Sequence, residues 1–439
     1  GAAALALGRG VPARAQDATA EAIATATAEA AGVQVSTAVP GKVNVAWWTH
    51  NNIAFVAANK EMIARFQKQR PDVNIVYQYF PYDVFISKLQ AGYASNAISD
   101  MQQMFGTWVT EYARYGLLDQ VPDKLAAGYN DRFWPAARGA YVYQDKPYGM
   151  PNEYNLENGG MLYNPGIMTA AGIKAPPKTW QELVDDAVKT AKHDDSGKLT
   201  QAGFQMTGND QITFLLLSMI LQQGATYWAD DGVHVNFQTD AAKKGWQDEI
   251  DLVKKYKVDD ETSYTGDRYI FFFQGKAAMS MVGPWAIPVG EQEFPGLKFD
   301  YVAMPPYAGD EMKFAAESGW GEVVNAKSAD DVKQAAWDFI DFFHQPDNLR
   351  DWNIMTYTIP SLQALKDDPT ILKKAPAMKV PFSVLAGGQW VGPVGDRDKF
   401  WQSIHDAYTA ACLGQLDPAT ALTQAEQEIN AMIDERVGP

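Results

Sequence analysis

The chain has 439 residues, 46% hydrophobic and 21% charged, with a formal net charge of −16. That length exceeds one typical hydrophobic core, so two domains are the natural expectation. The acidic balance argues against nucleic acid or an anionic membrane as partners, since both would repel it, and the single cysteine, Cys412, excludes an intramolecular disulfide.

The first fifteen residues read GAAALALGRGVPARA and end in Ala13-Arg14-Ala15, a cleavage-like A-x-A pattern expected of a secretory signal remnant. Residues 16–42 hold no aromatic side chain and end in Pro40-Gly41. Such a stretch buries too little to fold alone, so residues 1–42 are expected to be a signal remnant and disordered linker. No later run of eighteen apolar residues predicts a membrane-spanning helix. Residues 43–48 alternate like a strand, and residues 49–52 read as the loop leaving it. A helix follows with Phe55, Ala58, Met62, Ile63 and Phe66 on one face, ending before Arg70-Pro71. Strands over 73–79 and 99–104 then alternate with helices over 82–93 and 110–115. This alternation predicts an α/β fold with a parallel, doubly wound sheet.

Residues 160–183, GMLYNPGIMTAAGIKAPPKTWQEL, hold a short strand, a turn at Asn164-Pro165-Gly166, and a short helix closed at Gly172. After two prolines, Thr179 stands where an N-cap belongs, with Glu182 as its capping-box partner. Downstream, Asp230-Asp231-Gly232 reads as a tight turn, residues 299–304 as a strand, and Ala335, Ala336, Phe339, Ile340 and Phe343 as one face of a helix. Residues 400–432 read as helical, interrupted at Asp417-Pro418.

A search for catalytic motifs finds none. Glu317-Ser318-Gly319 lacks the leading glycine of a nucleophile elbow, and no Walker A loop is present. His50, His193, His234, His344 and His405 are scattered without metal-ligand spacing, so neither a metal nor a cofactor is expected. What remains is aromatic and polar residues at loops that follow strands, where open α/β sheets bind ligands.

The segment 160–183 resembles the "LxYN…AG…PPKTWxE" signature of family 1 of the extracellular solute-binding proteins, the maltose-binding-protein-like components of ABC importers. Gly116-Leu117-Leu118, Phe273 through Met279 followed by Gly283-Pro284-Trp285, Gly319-Trp320-Gly321, and Thr358-Ile359-Pro360 resemble further family motifs in the same order. The resemblance implies a two-lobed periplasmic-binding-protein (type II) fold with a hinge of crossing segments. It puts residues 43–154 plus 322–362 in one lobe and 155–321 plus 363–439 in the other. The implied crossings lie at 151–156, 322–325 and 358–360. It implies a non-enzymatic, extracytoplasmic, monomeric carrier. That carrier would take a mono- or oligosaccharide in the interlobe cleft and hand it to a membrane permease.

The family-matched loop positions name the expected ligand residues: His50, Asn51, Met104, Thr107, Trp108, Tyr154, Glu157, Asp210, Trp285, Trp320 and Trp401. Met104 stands where sugar-binding relatives carry a stacking Trp, and Thr107 and Trp108 replace a charged pair. Rings would cover the C–H face of a pyranose while Glu157 and Asp210 accept from its hydroxyls. Two alternatives stay open: an anionic solute such as a glycerol phosphodiester, received by Arg397 or Arg268, and a secreted glycoside hydrolase.

Overall fold

The computed structural model describes residues 32–206, 208–260 and 268–437, so the expected signal remnant at 1–15 and the expected linker as far as residue 31 lie outside the described residues. Among the described residues three larger sheets organise the chain, beside a two-stranded ribbon of Val142–Tyr143 and Lys146–Pro147. The first has six strands in the order Val33–Gln34, Val73–Phe80, Val43–His50, Met101–Phe105, Trp320–Val324, Met150–Pro151. The second has five: Lys192–His193, Leu199–Gln205, Ala277–Met281, Gly160–Tyr163, Asp300–Ala303. The third is a small sheet of Ile359–Pro360, Glu153–Asn155, Phe314–Ser318 and Gly388–Trp390, lying where the chain passes between the two larger units.

Local sequence explains how each lobe is built. Val45 and Trp47 alternate inward from the strand Val43–His50 and are fully buried. The helix Ile53–Gln69 starts because the Asn52 side chain accepts from the backbone N–H of Ala54 and Phe55, at 3.0 and 3.3 Å. Its face of Phe55, Ala58, Met62 and Phe66 packs into the first core, where each large side chain contributes about 1.5–3 kcal/mol of burial. In the second lobe the Asn164 side chain caps the helix Pro165–Ala170, and Gly172 closes it at φ +78°. Thr179 caps Trp180–Thr190 as expected, accepting from the Glu182 N–H at 3.2 Å. The Glu182 carboxylate reaches one residue further back than a capping box would place it, to the Lys178 N–H at 2.7 Å.

Four expectations change. The first sheet is mixed rather than parallel, because Trp320–Val324 returns from the second lobe and pairs antiparallel with Met101–Phe105. The first strand runs on through Thr49 and His50, which pair with Tyr79 and Phe80, so these two residues are not in a loop. Residues 33–36, placed in the linker, instead dock on that sheet: Val33–Gln34 pairs with Tyr79 and Gln78, and the Ser36 hydroxyl donates to the Ile75 carbonyl at 2.8 Å. Unpaired backbone at the sheet edge recruits them despite their weak hydrophobicity. Finally, Leu365, Ile371, Met378, Phe382 and Leu385 pack into the first core although residues 363–439 were assigned to the second lobe. The strand Ile359–Pro360 joins the small sheet without carrying the chain across. The first residues beyond it that are buried in the second core are Val391 and Val394, just after Gly388–Trp390.

Candidate functional site

The two lobes face each other across the carboxyl ends of the first sheet's parallel strands. On the first lobe the centre is Trp320, 8% exposed, at the start of its strand. Its ring lies 4.3 Å from His50, 5.1 Å from Phe105, 5.7 Å from Trp108 and 6.2 Å from both Tyr82 and Phe85, centroid to centroid. His50 closes its strand and Tyr82 opens a helix after the neighbouring strand, so adjacent strand ends deliver both to one place. Tyr82 stays 44% exposed and offers the most open ring of the group.

His50 Nδ1 accepts from the Asn52 N–H at 3.2 Å, which puts the imidazole proton on Nε2. Burial holds this histidine neutral, with its pKa lowered to about 3. Its Nε2 and the indole Nε1 of Trp108 are buried and meet no protein partner. Buried donors of this kind are costly unless something accepts from them.

The opposing wall is polar. Arg397, at the start of the helix Arg397–Cys412, pairs through Nε with Glu317 Oε1 at 2.7 Å and through Nη2 with Asp210 Oδ1 at 2.5 Å. Thr107 donates to the same Glu317 oxygen at 2.7 Å, and the guanidinium lies 5.1 Å from the Phe105 ring, so this network ties the two lobes together. Beside it, Glu157 accepts from Trp285 Nε1 at 2.8 Å and from the Gly283 N–H at 2.9 Å. Burial, and then the negative charge of Asp210, push the Glu157 carboxyl up to about 7. Glu153, whose carboxylate accepts from the Trp320 N–H at 3.0 Å, is pushed by burial to about 8.

Of the eleven expected residues, His50, Trp108 and Trp320 meet on the aromatic wall, and Thr107, Glu157, Asp210 and Trp285 on the polar one. Asn51 lies beside them and is exposed. Three do not fit the expectation. Met104 is fully buried in the first core and offers a ligand no surface. Tyr154 is buried at the small sheet, its hydroxyl resting on Gly388, where a Cβ would collide with it. Trp401 is 1% exposed, with the Arg397 guanidinium 4.7 Å from its ring, so that face is already covered. The cover comes from one helical turn earlier, and the four-residue spacing of Arg397 and Trp401 was the available signal. Tyr82 and Glu317 were missed. Tyr82 directly follows Pro81 at a strand end, a cue of the kind that pointed to His50, whereas nothing local marks Glu317.

Three comparisons bear on this arrangement. The family profile described as bacterial extracellular solute-binding protein matches residues 51–349. A maltotriose-binding protein of Pyrococcus abyssi is 24% identical over 357 residues, spanning 78% of this chain and 74% of that protein. Among solved structures, an ABC transporter solute-binding protein from Thermotoga lettingae bound with α-D-tagatose superposes with a TM-score of 0.76 at 22% identity, covering 89% of this chain and 99% of that one. The maltose/maltodextrin-binding domain from Bdellovibrio bacteriovorus bound to maltotriose gives 0.74 at 20%, covering 90% and 100%. These likenesses establish the two-lobed α/β fold.

Proposed function

The chain belongs to the bacterial extracellular solute-binding proteins, carriers rather than enzymes, and from that premise we propose that it captures a neutral carbohydrate between its lobes for an ABC importer. The observation that carries this reading is the pairing of walls. Rings around Trp320, two of them with unpartnered buried donors, face carboxylates held by Arg397 and Trp285. A sugar has matching surfaces, with C–H groups on its faces and hydroxyls at its rim. The relatives named above, whose solved members hold sugars, support the same class. Contact with both walls is what lets a ligand favour the closed arrangement, since only differential affinity shifts such an equilibrium.

Family membership sets the hydrolase alternative aside. The anionic-solute alternative loses its main cation, because Arg397 is engaged by Glu317 and Asp210, with a third carboxylate, Glu157, in the same wall. The side chain of Arg268, the other cation named for that alternative, lies outside the described residues. Among the described residues no helix is long and apolar enough to cross a membrane. Extracytoplasmic residence, action as a monomer and delivery to a permease complete the proposal.

Calorimetry of the protein and its Tyr82→Ala variant with neutral sugars tests it. Binding should depend little on salt. Tyr82→Ala should weaken it roughly thirtyfold, if one stacked ring hides about 70 Å² of apolar surface, with little change in melting temperature. No heat from neutral sugars, together with tight and steeply salt-dependent binding of a phosphorylated solute, would refute the assignment.

A further inference from the structure

The strand at the edge of the first sheet belongs to neither wall of the cleft. Val33–Gln34 runs antiparallel to Val73–Phe80, with Val33 opposite Tyr79 and Gln34 opposite Gln78. The pairing continues in the Val35 N–H, which donates to the Tyr77 carbonyl at 2.9 Å. The Ser36 hydroxyl extends it, donating to the Ile75 carbonyl and accepting from the Tyr77 N–H, both at 2.8 Å. Because the sense is antiparallel, this strap begins at the carboxyl end of Val73–Phe80, the end that faces the cleft.

Its first residue stands on a ring stack that lies behind the aromatic wall. Gly32, at φ +69°, packs so closely on the Phe80 ring that a Cβ would collide with it. Phe80 is fully buried and stacks on Phe85, with centroids 6.4 Å apart and planes 16° apart. Phe85 in turn lies 6.2 Å from Trp320. One line of contacts therefore runs from Gly32 through two rings to the centre of the wall.

Little besides these hydrogen bonds holds the strap in place. Val33 and Val35 are 50% and 40% exposed, so apolar burial adds little. A short edge segment of this kind can leave the sheet without unfolding the lobe, which gives it two states, docked and released. Docked, Gly32 confines the Phe80 ring. Released, it leaves that ring room to move, and Phe85 and Trp320 lose a fixed neighbour.

We propose that residues 32–36 are a positioning strap for the ligand wall, holding the Phe80–Phe85 stack against Trp320 and so raising the affinity of the cleft. The proposal rests on the carbohydrate reading above for its ligand and adds residues that no ligand touches. Linkage gives it a distinctive consequence. If docking strengthens sugar binding by some factor, bound sugar must favour docking by the same factor. A strap that served stability alone would show no such exchange.

The experiment uses the full chain and two variants at one exposed position. Val35→Pro removes the N–H that pairs with Tyr77, and Val35→Thr keeps it. In calorimetry with maltotriose and mannobiose, Val35→Pro should bind about threefold to tenfold more weakly, the range set by an aromatic contact. Val35→Thr should bind like the unmodified protein. Hydrogen exchange at the Val35 amide of the unmodified protein should slow by the same factor when the sugar saturates. Fluorotryptophan labelling adds a reading that needs no ligand. The Trp320 fluorine resonance, identified by its loss in Trp320→Phe, should shift in Val35→Pro and stay in place in Val35→Thr. Undiminished affinity in Val35→Pro, or exchange at Val35 that ignores bound sugar, would overturn the positioning role whatever happens to the melting temperature. If no sugar binds, the carbohydrate reading falls and the fluorine resonance decides alone: an unmoved Trp320 signal in Val35→Pro overturns the strap, and a shifted one upholds its hold on the wall.

Discussion

On the first lobe, Trp320 meets His50, Tyr82, Phe85, Phe105 and Trp108 through ring contacts alone, whereas on the opposing wall Glu157, Asp210, Glu317 and Arg397 are fixed by hydrogen bonds and ion pairs. Ring packing is tolerant, since dispersion and burial vary smoothly with small shifts of a side chain. The polar wall is exacting, because a desolvated carboxylate without its partner is strongly unfavourable. The aromatic side therefore suits affinity for any sugar-like face, and the polar side suits selection among hydroxyl patterns. Both walls sit at chain crossings or strand ends, so a common scaffold holds two different kinds of surface.

The largest effect should come from removing the cation of the polar wall. Arg397→Met should destabilise the protein by about 3–5 kcal/mol, because Glu317, with no exposed surface, is left without its counter-charge. Arg397→Met with Glu317→Leu should regain most of the loss, since two apolar groups replace the pair. Thermal melts of both variants read this directly. A single variant that melts with the unmodified protein would mean that the polar wall is no obligate network.

Much of the scaffold was legible in the sequence, and for local reasons. The strand, cap and helix at 160–183 depend on neighbours within a few residues, and Asn164, Gly172 and Thr179 act where their chemistry predicts. The buried face of Asp330–Phe343 follows from its spacing in the same way. The aromatic wall was partly legible because His50, Trp108 and Trp320 lie near strand ends. The polar wall was not, because its bonds join distant parts of the chain: Arg397 and Glu317 are 80 residues apart, and Arg397 and Asp210 are 187 apart. For Trp401 the four-residue spacing from Arg397 was visible, but not the distant Glu317 that holds the guanidinium over the ring. Its stacking face depends on which residue the fold lays over it, and Arg397 is held there by a strand that no local pattern connects to it. The packing of residues 363–385 on the first core escaped notice likewise, their short apolar groups fitting either lobe.

An intermediate effect should appear in a pH titration of stability. The carboxyls of Glu153 and Glu157 are raised from an ordinary value near 4.5 to about 8 and about 7. A carboxyl so raised contributes stability that is complete below about pH 4.5 and is lost as pH climbs through the folded value. His50 and His344, lowered to about 3 and about 4, act oppositely: their contribution is present above about pH 6.5 and is lost as pH falls. Between pH 6.5 and 8 His50 and His344 are therefore silent, and the raised carboxyls, joined by His234, whose pKa is raised by Asp231 and Asp434, should make the melting temperature fall as pH rises. The limiting slope is about 1.4 kcal/mol per pH unit for each carboxyl. Glu153→Gln keeps an oxygen for the Trp320 N–H and should flatten that decline, gaining most at pH 8. A decline of unchanged steepness in this variant would show that Glu153 does not titrate there.

The smallest effect belongs to the rim, where the two lobes touch outside both walls. Arg436, in the helix Pro418–Val437 of the second lobe, reaches Glu111 of the first at 3.0 Å and Asp396 of its own lobe at 2.6 Å. All three side chains remain roughly a third exposed, so water screens the contact and its worth is below about 1 kcal/mol. Of these two contacts only the Glu111 arm spans the lobes. Arg436→Ala should then leave the open protein almost unaffected and weaken ligand binding by less than about fivefold, the factor equivalent to 1 kcal/mol. The loss should shrink in high salt, because an exposed pair is screened whereas ring stacking is not. A double-mutant cycle with Glu111→Ala isolates the interlobe term from the Asp396 contact. A coupling of zero would mean that Arg436 serves its own lobe alone. A coupling that persists undiminished in high salt would mean that the rim is drier than its exposure implies, and that it belongs with the polar wall.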